Sequence, residues 1–124
     1  MTPRLLEPGK EGERVREVGI YADEFLVGRG ADCNLRLQDS ATSRHHCLIR
    51  VRGDEATLVD LGSSNGTYLN GVRVLSQSAL HTGDEIRIGE FRYIVDLGDD
   101  PAWAERFMHH VDPVATTMRR PPNV

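Results

Sequence analysis

Three short stretches gather the side chains best able to hold a charged group: Gly28-Arg29, Ser43-Arg44-His45-His46 and Ser63-Ser64-Asn65-Gly66-Thr67. Between them they supply two guanidinium groups, several hydroxyls and a carboxamide. That donor set matches a tetrahedral dianion such as phosphate. A poised base is not part of it. Ser43 with His45 or His46, and Asp60 or Asp84 behind them, could be drawn as nucleophile, base and orienter. The sequence has no Gly-x-Ser-x-Gly elbow, however, and an arginine beside Ser43 suits keeping an anion better than releasing one. Gly28-x-Gly30 lacks the third glycine of a dinucleotide loop, and Asp32-Cys33-Asn34 leads into a strand, not a helix. His81, His109 and His110 show no spacing that would assemble a metal site, and Cys33 and Cys47 form no CxxC pair, so neither metal nor cofactor is expected.

The elements that must carry these stretches read as short strands. Apolar residues recur with period two in brief runs bounded by Gly, Asn, Asp and Ser, an all-β pattern. Cys47, Ile49 and Val51 share one face and Leu48, Arg50 and Arg52 the other; Gly53-Asp54 then turns the chain into a return strand from Ala56 to Leu61. Thr67-Tyr68-Leu69 and Val72-Arg73-Val74 flank Asn70-Gly71, a dipeptide suited to the positive φ angles of a type I′ hairpin. Ile86 and Ile88, then Phe91, Tyr93 and Val95 beyond Gly89-Glu90, form a closing hairpin. Upstream lie Val15 to Tyr21, with Leu5-Leu6 opening that strand, and Phe25-Leu26-Val27. Short strands with turns about every 8 to 12 residues favour an antiparallel sandwich or barrel. Loops at the ends of such a body are where binding residues usually sit.

One segment has helical spacing. Asp100 can cap it, Pro101 suits its first position, and Trp103, Phe107 and Val111 fall at i, i+4 and i+8, which predicts a short C-terminal helix packed on the sandwich. From Pro113 onward there is little to bury, so residues 113–124 read as a flexible tail or linker. In that tail Thr116 and Thr117, each three residues before an arginine, offer kinase acceptors whose modification would let the tail dock on an anion site.

At 124 residues the chain is long enough for one domain with its own core. With 39% apolar and 27% charged residues it has ordinary globular composition. A formal net charge of -4 gives no general attraction for nucleic acid or anionic lipid, so any anion site must be assembled locally from a few arginines. No apolar leader follows Met1 and the longest apolar runs are a few residues, so the expected location is cytoplasmic, with Cys33 and Cys47 as reduced thiols.

Gly28-Arg29, Ser43-Arg44-x-His46, Ser64-Asn65-Gly66-Thr67 and Asn70-Gly71, in this order and spacing, resemble the signature of the forkhead-associated (FHA) domain. The resemblance runs from Arg4 to Asp96, which sets residues 4–96 as the domain, 97–112 as an extension with the short helix, and 113–124 as the tail. It implies an all-β, antiparallel-rich sandwich of eleven short strands in two sheets that binds phosphothreonine in an extended peptide and mediates protein–protein contacts in Ser/Thr-kinase signalling. It further implies that Arg29 contacts the phosphate or the adjoining peptide backbone and that Ser43 and Arg44 bond phosphate oxygens. Ser64 would line the phosphothreonine pocket, and Asn65 would hold the peptide main chain. His46 resembles the family's buried, loop-bracing histidine. Gly28, Gly66, Thr67, Asn70 and Gly71 take structural roles in the loops, and His45 fills a variable, solvated position. Peptide-flank selectivity is expected from loops at Ala31–Asn34 and Val74–Ala79. A monomer is expected. The competing expectation is the same fold serving as a phosphate-independent interaction or dimerisation scaffold.

Overall fold

The computed structural model describes residues 2–9 and 14–111, and among them are eleven strands and one helix. The strands are β1 Arg4–Glu7, β2 Arg16–Gly19, β3 Glu24–Gly28, β4 Leu35–Arg36, β5 Cys47–Arg52 and β6 Glu55–Asp60, followed by β7 Tyr68–Leu69, β8 Val72–Arg73, β9 Gln77–Leu80, β10 Glu85–Ile88 and β11 Phe91–Asp96. One sheet has the order β2-β1-β11-β10-β7-β8, the other β4-β3-β5-β6-β9. Every described pairing is antiparallel except β3 with β4.

The period-two pattern closes these sheets over one core. Leu5, Ile86, Ile88, Tyr93 and Val95 of the first sheet meet Phe25, Val27, Cys47, Ile49, Ala56 and Leu58 of the second, all buried. Each large side chain so buried contributes about 1.5–3 kcal/mol. The alternation is visible in β5, where Cys47 and Ile49 are buried and Leu48 and Arg50 are only half-covered.

Three expectations shift in detail. Leu5-Leu6 does not open the second strand; it forms β1 by itself, between β2 and β11, because Pro8-Gly9 breaks the run before Arg16. The return strand runs Glu55–Asp60, one residue earlier than read, and Leu61 already belongs to the loop. Within the segment read as a loop at Val74–Ala79, Gln77 begins strand β9, an edge strand paired to β6. Only Leu80 of this strand is buried, so it carries almost no apolar signature.

The helix α1 spans Pro101–Val111. Asp100 caps it, its carboxylate accepting the Trp103 N–H at 3.2 Å. Trp103 and Phe107 stack with centroids 5.1 Å apart. The Trp103 indole lies against the turn at Gly83, where an added Cβ would stand 3.4 Å from Nε1. The Val111 side chain and residues 112–124, including the tail with Thr116 and Thr117, fall outside the described residues.

Candidate functional site

Register alone brings the three chemistry-bearing stretches to one end of the five-stranded sheet. Val27 of β3 pairs with Cys47 of β5, and Cys47 pairs with Asp60 of β6. Because these neighbours alternate in direction, the exit of β3, the entry to β5 and the exit of β6 share one edge. Gly28-Arg29, Ser43–His46 and Leu61–Thr67 therefore stand side by side.

The first two loops are laced through backbone atoms. Arg29 N–H donates to Ser43 O and Gly30 N–H to Arg44 O, each at 3.0 Å, and His46 N–H donates to Val27 O at 2.9 Å. This approach requires glycine at position 28: an added Cβ would stand 2.2 Å from the Arg44 carbonyl oxygen and 3.0 Å from His46 N. The demand is for space against backbone, which cannot swing aside.

His46 is fully buried and ties the second loop to the third. Its Nδ1 accepts the Ser43 N–H at 3.0 Å. That bond needs a lone pair, so the ring is neutral and carries its proton on Nε2, which donates to Gly66 O at 3.0 Å. Both ring nitrogens are thereby committed to backbone groups, and neither is available to activate the Ser43 hydroxyl.

The third loop closes on a carboxylate, that of Asp60. Asp60 Oδ1 accepts from Ser63 Oγ at 2.6 Å and from Thr67 Oγ1 at 2.7 Å; its Oδ2 accepts the N–H groups of Gly62 at 3.0 Å and Ser63 at 3.1 Å. Partial burial pushes this carboxyl up, but the four donors outweigh it and hold Asp60 below the usual carboxylate range. An acid at a strand end with Gly-Ser two residues on is the local signal that points to it.

On this frame Arg29, Arg44, Ser64 and Asn65 are exposed and Ser43 is half-exposed. Arg29 Nε donates to Thr42 O at 3.0 Å, which steadies the guanidinium at the rim. Arg44 forms none of the ion pairs found among the described residues. Ser43 Oγ accepts the Ser64 N–H at 3.1 Å, leaving its own proton to donate outward. Asn65 Nδ2 donates to Ala41 O at 2.8 Å, which fixes the carboxamide while its oxygen is unengaged. Gly66, at φ 91°, takes the loop through the left-handed region.

The remaining structural residues lie behind the loops. Asn70 and Gly71 have φ 52° and 84°, as a type I′ turn requires, and Asn70 bridges to β10 by accepting from Glu85 N–H at 2.9 Å and donating to Asp84 Oδ1 at 3.0 Å. His45 is not simply solvated: Nε2 meets Asp32 Oδ2 at 2.8 Å, because the loop after β3 folds over the Ser43–His46 segment. The bond to His45 draws the Asp32 carboxyl below its ordinary range, with the Arg44 charge adding to it. Sequence reasoning also missed Arg36, whose Nε donates to Arg29 O at 2.9 Å. It missed Arg73 as well, which lies against Gly66. In a chain of net charge -4, four arginines thus stand about one tip.

The sequence model of the FHA domain matches residues 25–89, more than half of the chain and all three loops. The chain belongs to the FHA domain family. Among curated relatives, the oxoglutarate dehydrogenase inhibitor of Corynebacterium jeikeium is 45% identical over 76 residues, covering 61% of this chain and 52% of that protein. The chain spans about half the length of the curated relatives it matches. Among solved structures, Mycobacterium tuberculosis EmbR in complex with a low affinity phosphopeptide superposes with a TM-score of 0.72 at 28% identity, over 77% of this chain and 24% of that one. The N-terminal FHA domain of S. cerevisiae Rad53p in complex with a phosphothreonine peptide gives a TM-score of 0.66 at 26% identity, over 80% and 95%.

Proposed function

We propose that this FHA domain binds a phosphothreonine-containing segment of a partner protein in Ser/Thr-kinase signalling, and that it acts by binding and not by catalysis. The observation that carries the reading is the state of the tip. Its inner polar groups satisfy one another, while the outward guanidinium of Arg44, the hydroxyl proton of Ser43 and the carboxamide oxygen of Asn65 have no partner among the described residues. A donor array built in advance costs little ordering when the ligand arrives.

In this reading Arg29 and Arg44 neutralise the phosphate and donate to its oxygens, joined by the Ser43 hydroxyl. Ser64 lines the pocket beside the threonine, and Asn65 grips the peptide main chain. A phosphate carries about -1.5 to -2 charge at neutral pH. Each charge-assisted bond contributes roughly 1.5–3 kcal/mol. Three or four of them, less the ordering of a flexible peptide, leave about 8 kcal/mol, a Kd on the order of 1 μM. Threonine is favoured over serine by burial of its γ-methyl, worth only about 1 kcal/mol by area. Rotamer restriction must supply the rest.

Two further observations support the assignment. The similar structures of EmbR and of the N-terminal FHA domain of Rad53p were solved holding a phosphopeptide and a phosphothreonine peptide. A relative 45% identical over the matched region is named as an inhibitor of an enzyme, the role of a binding protein. The two free thiols, Cys33 and Cys47, accord with a reducing cytoplasm. The test is fluorescence anisotropy with phosphothreonine, phosphoserine and unmodified peptide libraries on the wild type and Arg29→Ala. Binding that requires phosphate and weakens at least tenfold in the variant is expected; equal, phosphate-insensitive binding would instead make the domain a phosphate-independent scaffold.

A further inference from the structure

A phosphate site that relies on Arg44 has to keep that guanidinium clear of the protein's own carboxylates, and one of them stands close by. The loop after β3 folds over the Ser43–His46 segment, where the Arg44 carbonyl accepts from Gly30 N–H at 3.0 Å and from the Cys33 thiol at 3.3 Å. Cys33 N–H donates to Gly30 O at 3.1 Å, which closes a turn that carries Asp32. A Cβ on Gly30 would meet Asp32 Oδ1 at 2.6 Å and Arg44 Cγ at 3.0 Å, so the carboxylate and the stem of the arginine flank one small space. An arginine has several torsions beyond Cγ, and a change of rotamer carries its guanidinium to a carboxylate this near.

The two nevertheless form no ion pair among the described residues. Asp32 Oδ2 instead accepts from His45 Nε2 at 2.8 Å. A carboxylate only accepts, so Nε2 carries a proton, as it does in one neutral tautomer and in the imidazolium. The other carboxylates of these loops are engaged elsewhere: Asp60 by four donors of its own loop, Asp39 by the Thr42 hydroxyl at 3.4 Å.

We propose that His45 is a positioning residue for phosphopeptide binding: it holds the Asp32 carboxylate off Arg44, so that the guanidinium stays open for phosphate. The inference rests on the reading of the primary site given above. Without His45 the carboxylate turns to Arg44, and the incoming phosphate has to displace an internal anion. The pair so formed would be exposed, which makes the competition modest.

The test is anisotropy with one phosphothreonine peptide on the wild type, His45→Ala, Asp32→Asn and the double variant. His45→Ala should weaken binding about three- to fivefold, the strength of an exposed ion pair, and the loss should shrink in high salt. Asp32→Asn should change affinity less than about 1.5-fold, because the charge it removes is already masked, and the double variant should return to the same level. His45→Gln, whose amide still donates to Asp32, should bind as the wild type does. Asp32 and His45 are both exposed, so all four variants should melt within a degree or two of it. A second readout needs no ligand: the Arg44 Nε–H resonance should shift in His45→Ala and return in the double variant. A latch that only braces the loop would weaken binding in both single variants with no recovery in the double; that pattern, or equal affinity throughout, would overturn the masking role and leave the primary site standing. Failure of the phosphopeptide to bind the wild type would overturn both.

Discussion

Replacing Asp60 by Asn keeps the shape of the side chain and removes half of its accepting capacity. In the native loop both oxygens are occupied: Oδ1 by the hydroxyls of Ser63 and Thr67, Oδ2 by the N–H groups of Gly62 and Ser63. Whichever way the Asn amide turns, its NH2 faces two donors and satisfies neither, and the charge that strengthened the remaining two is gone. Thr67 is fully buried, so its hydroxyl cannot turn to water. Charge-assisted bonds contribute roughly 1.5–3 kcal/mol each when shielded, and Asp60 is partly open to solvent, so the net loss is about 2–4 kcal/mol. Urea denaturation at pH 7 should report it as a lower midpoint with an unchanged slope. The pH dependence adds a sign. The folded carboxyl lies below its ordinary range, so its contribution is complete above the unfolded value of about 3.9 and fades as pH falls through the folded value. The gap between wild type and variant should stay constant from pH 7 to 5 and narrow toward pH 3. Because the loop also carries Ser64 and Asn65, phosphopeptide affinity should fall with stability. A variant within about 0.5 kcal/mol of wild type at pH 7, or a gap that widens in acid, would refute the reasoning.

Gly28→Ala should destabilise the domain by about 2–4 kcal/mol and abolish phosphopeptide binding, since the new methyl collides with the Arg44 carbonyl; thermal melts and anisotropy would measure both. His46→Ala leaves the Ser43 N–H and Gly66 carbonyl without partners and opens a cavity, so a loss of about 3 kcal/mol is expected by denaturation, with little recovery in His46→Gln unless its amide spans both groups. Arg44→Ala, by contrast, should leave the melting temperature within a degree or two while weakening phosphopeptide binding at least tenfold, because the side chain is exposed and unpaired among the described residues. Burial pushes the Cys47 thiol up to about 12, so a thiol reagent at pH 8 should label at most Cys33 in the native protein and both cysteines in denaturant.

The parts of the fold that could be read beforehand are those encoded locally. Asn70-Gly71 announces its turn because few other dipeptides tolerate two positive φ angles, and Cys47-x-Ile49 announces a buried strand face because alternation has no other cheap explanation. Strand β4 is two residues long and pairs in parallel through a loop, and β9 is a polar edge, so neither carries a periodic signal. The site shows the same division. The types and order of Arg29, Ser43, Arg44, Ser64 and Asn65 stand in the sequence, and sheet register brings them to one edge. The groups that hold them there are set by distances between loops remote in sequence. Asp60 reaching Thr67, His46 reaching Gly66 and His45 meeting Asp32 have no spacing rule to betray them. Arg73 came into view only once the β7–β8 hairpin had folded it back over Gly66.

The central claim, that one tip of the sandwich is the phosphothreonine site, is tested most directly by amide chemical-shift mapping. Isotope-labelled protein would be titrated in parallel with a phosphothreonine peptide and its unmodified twin. The account predicts saturable shifts for the phosphopeptide alone, concentrated at the N–H groups of residues 28–30, 43–46 and 63–66. Shifts centred elsewhere, such as the cleft between Arg4 and Pro101, or equal shifts with the unmodified peptide, would contradict it.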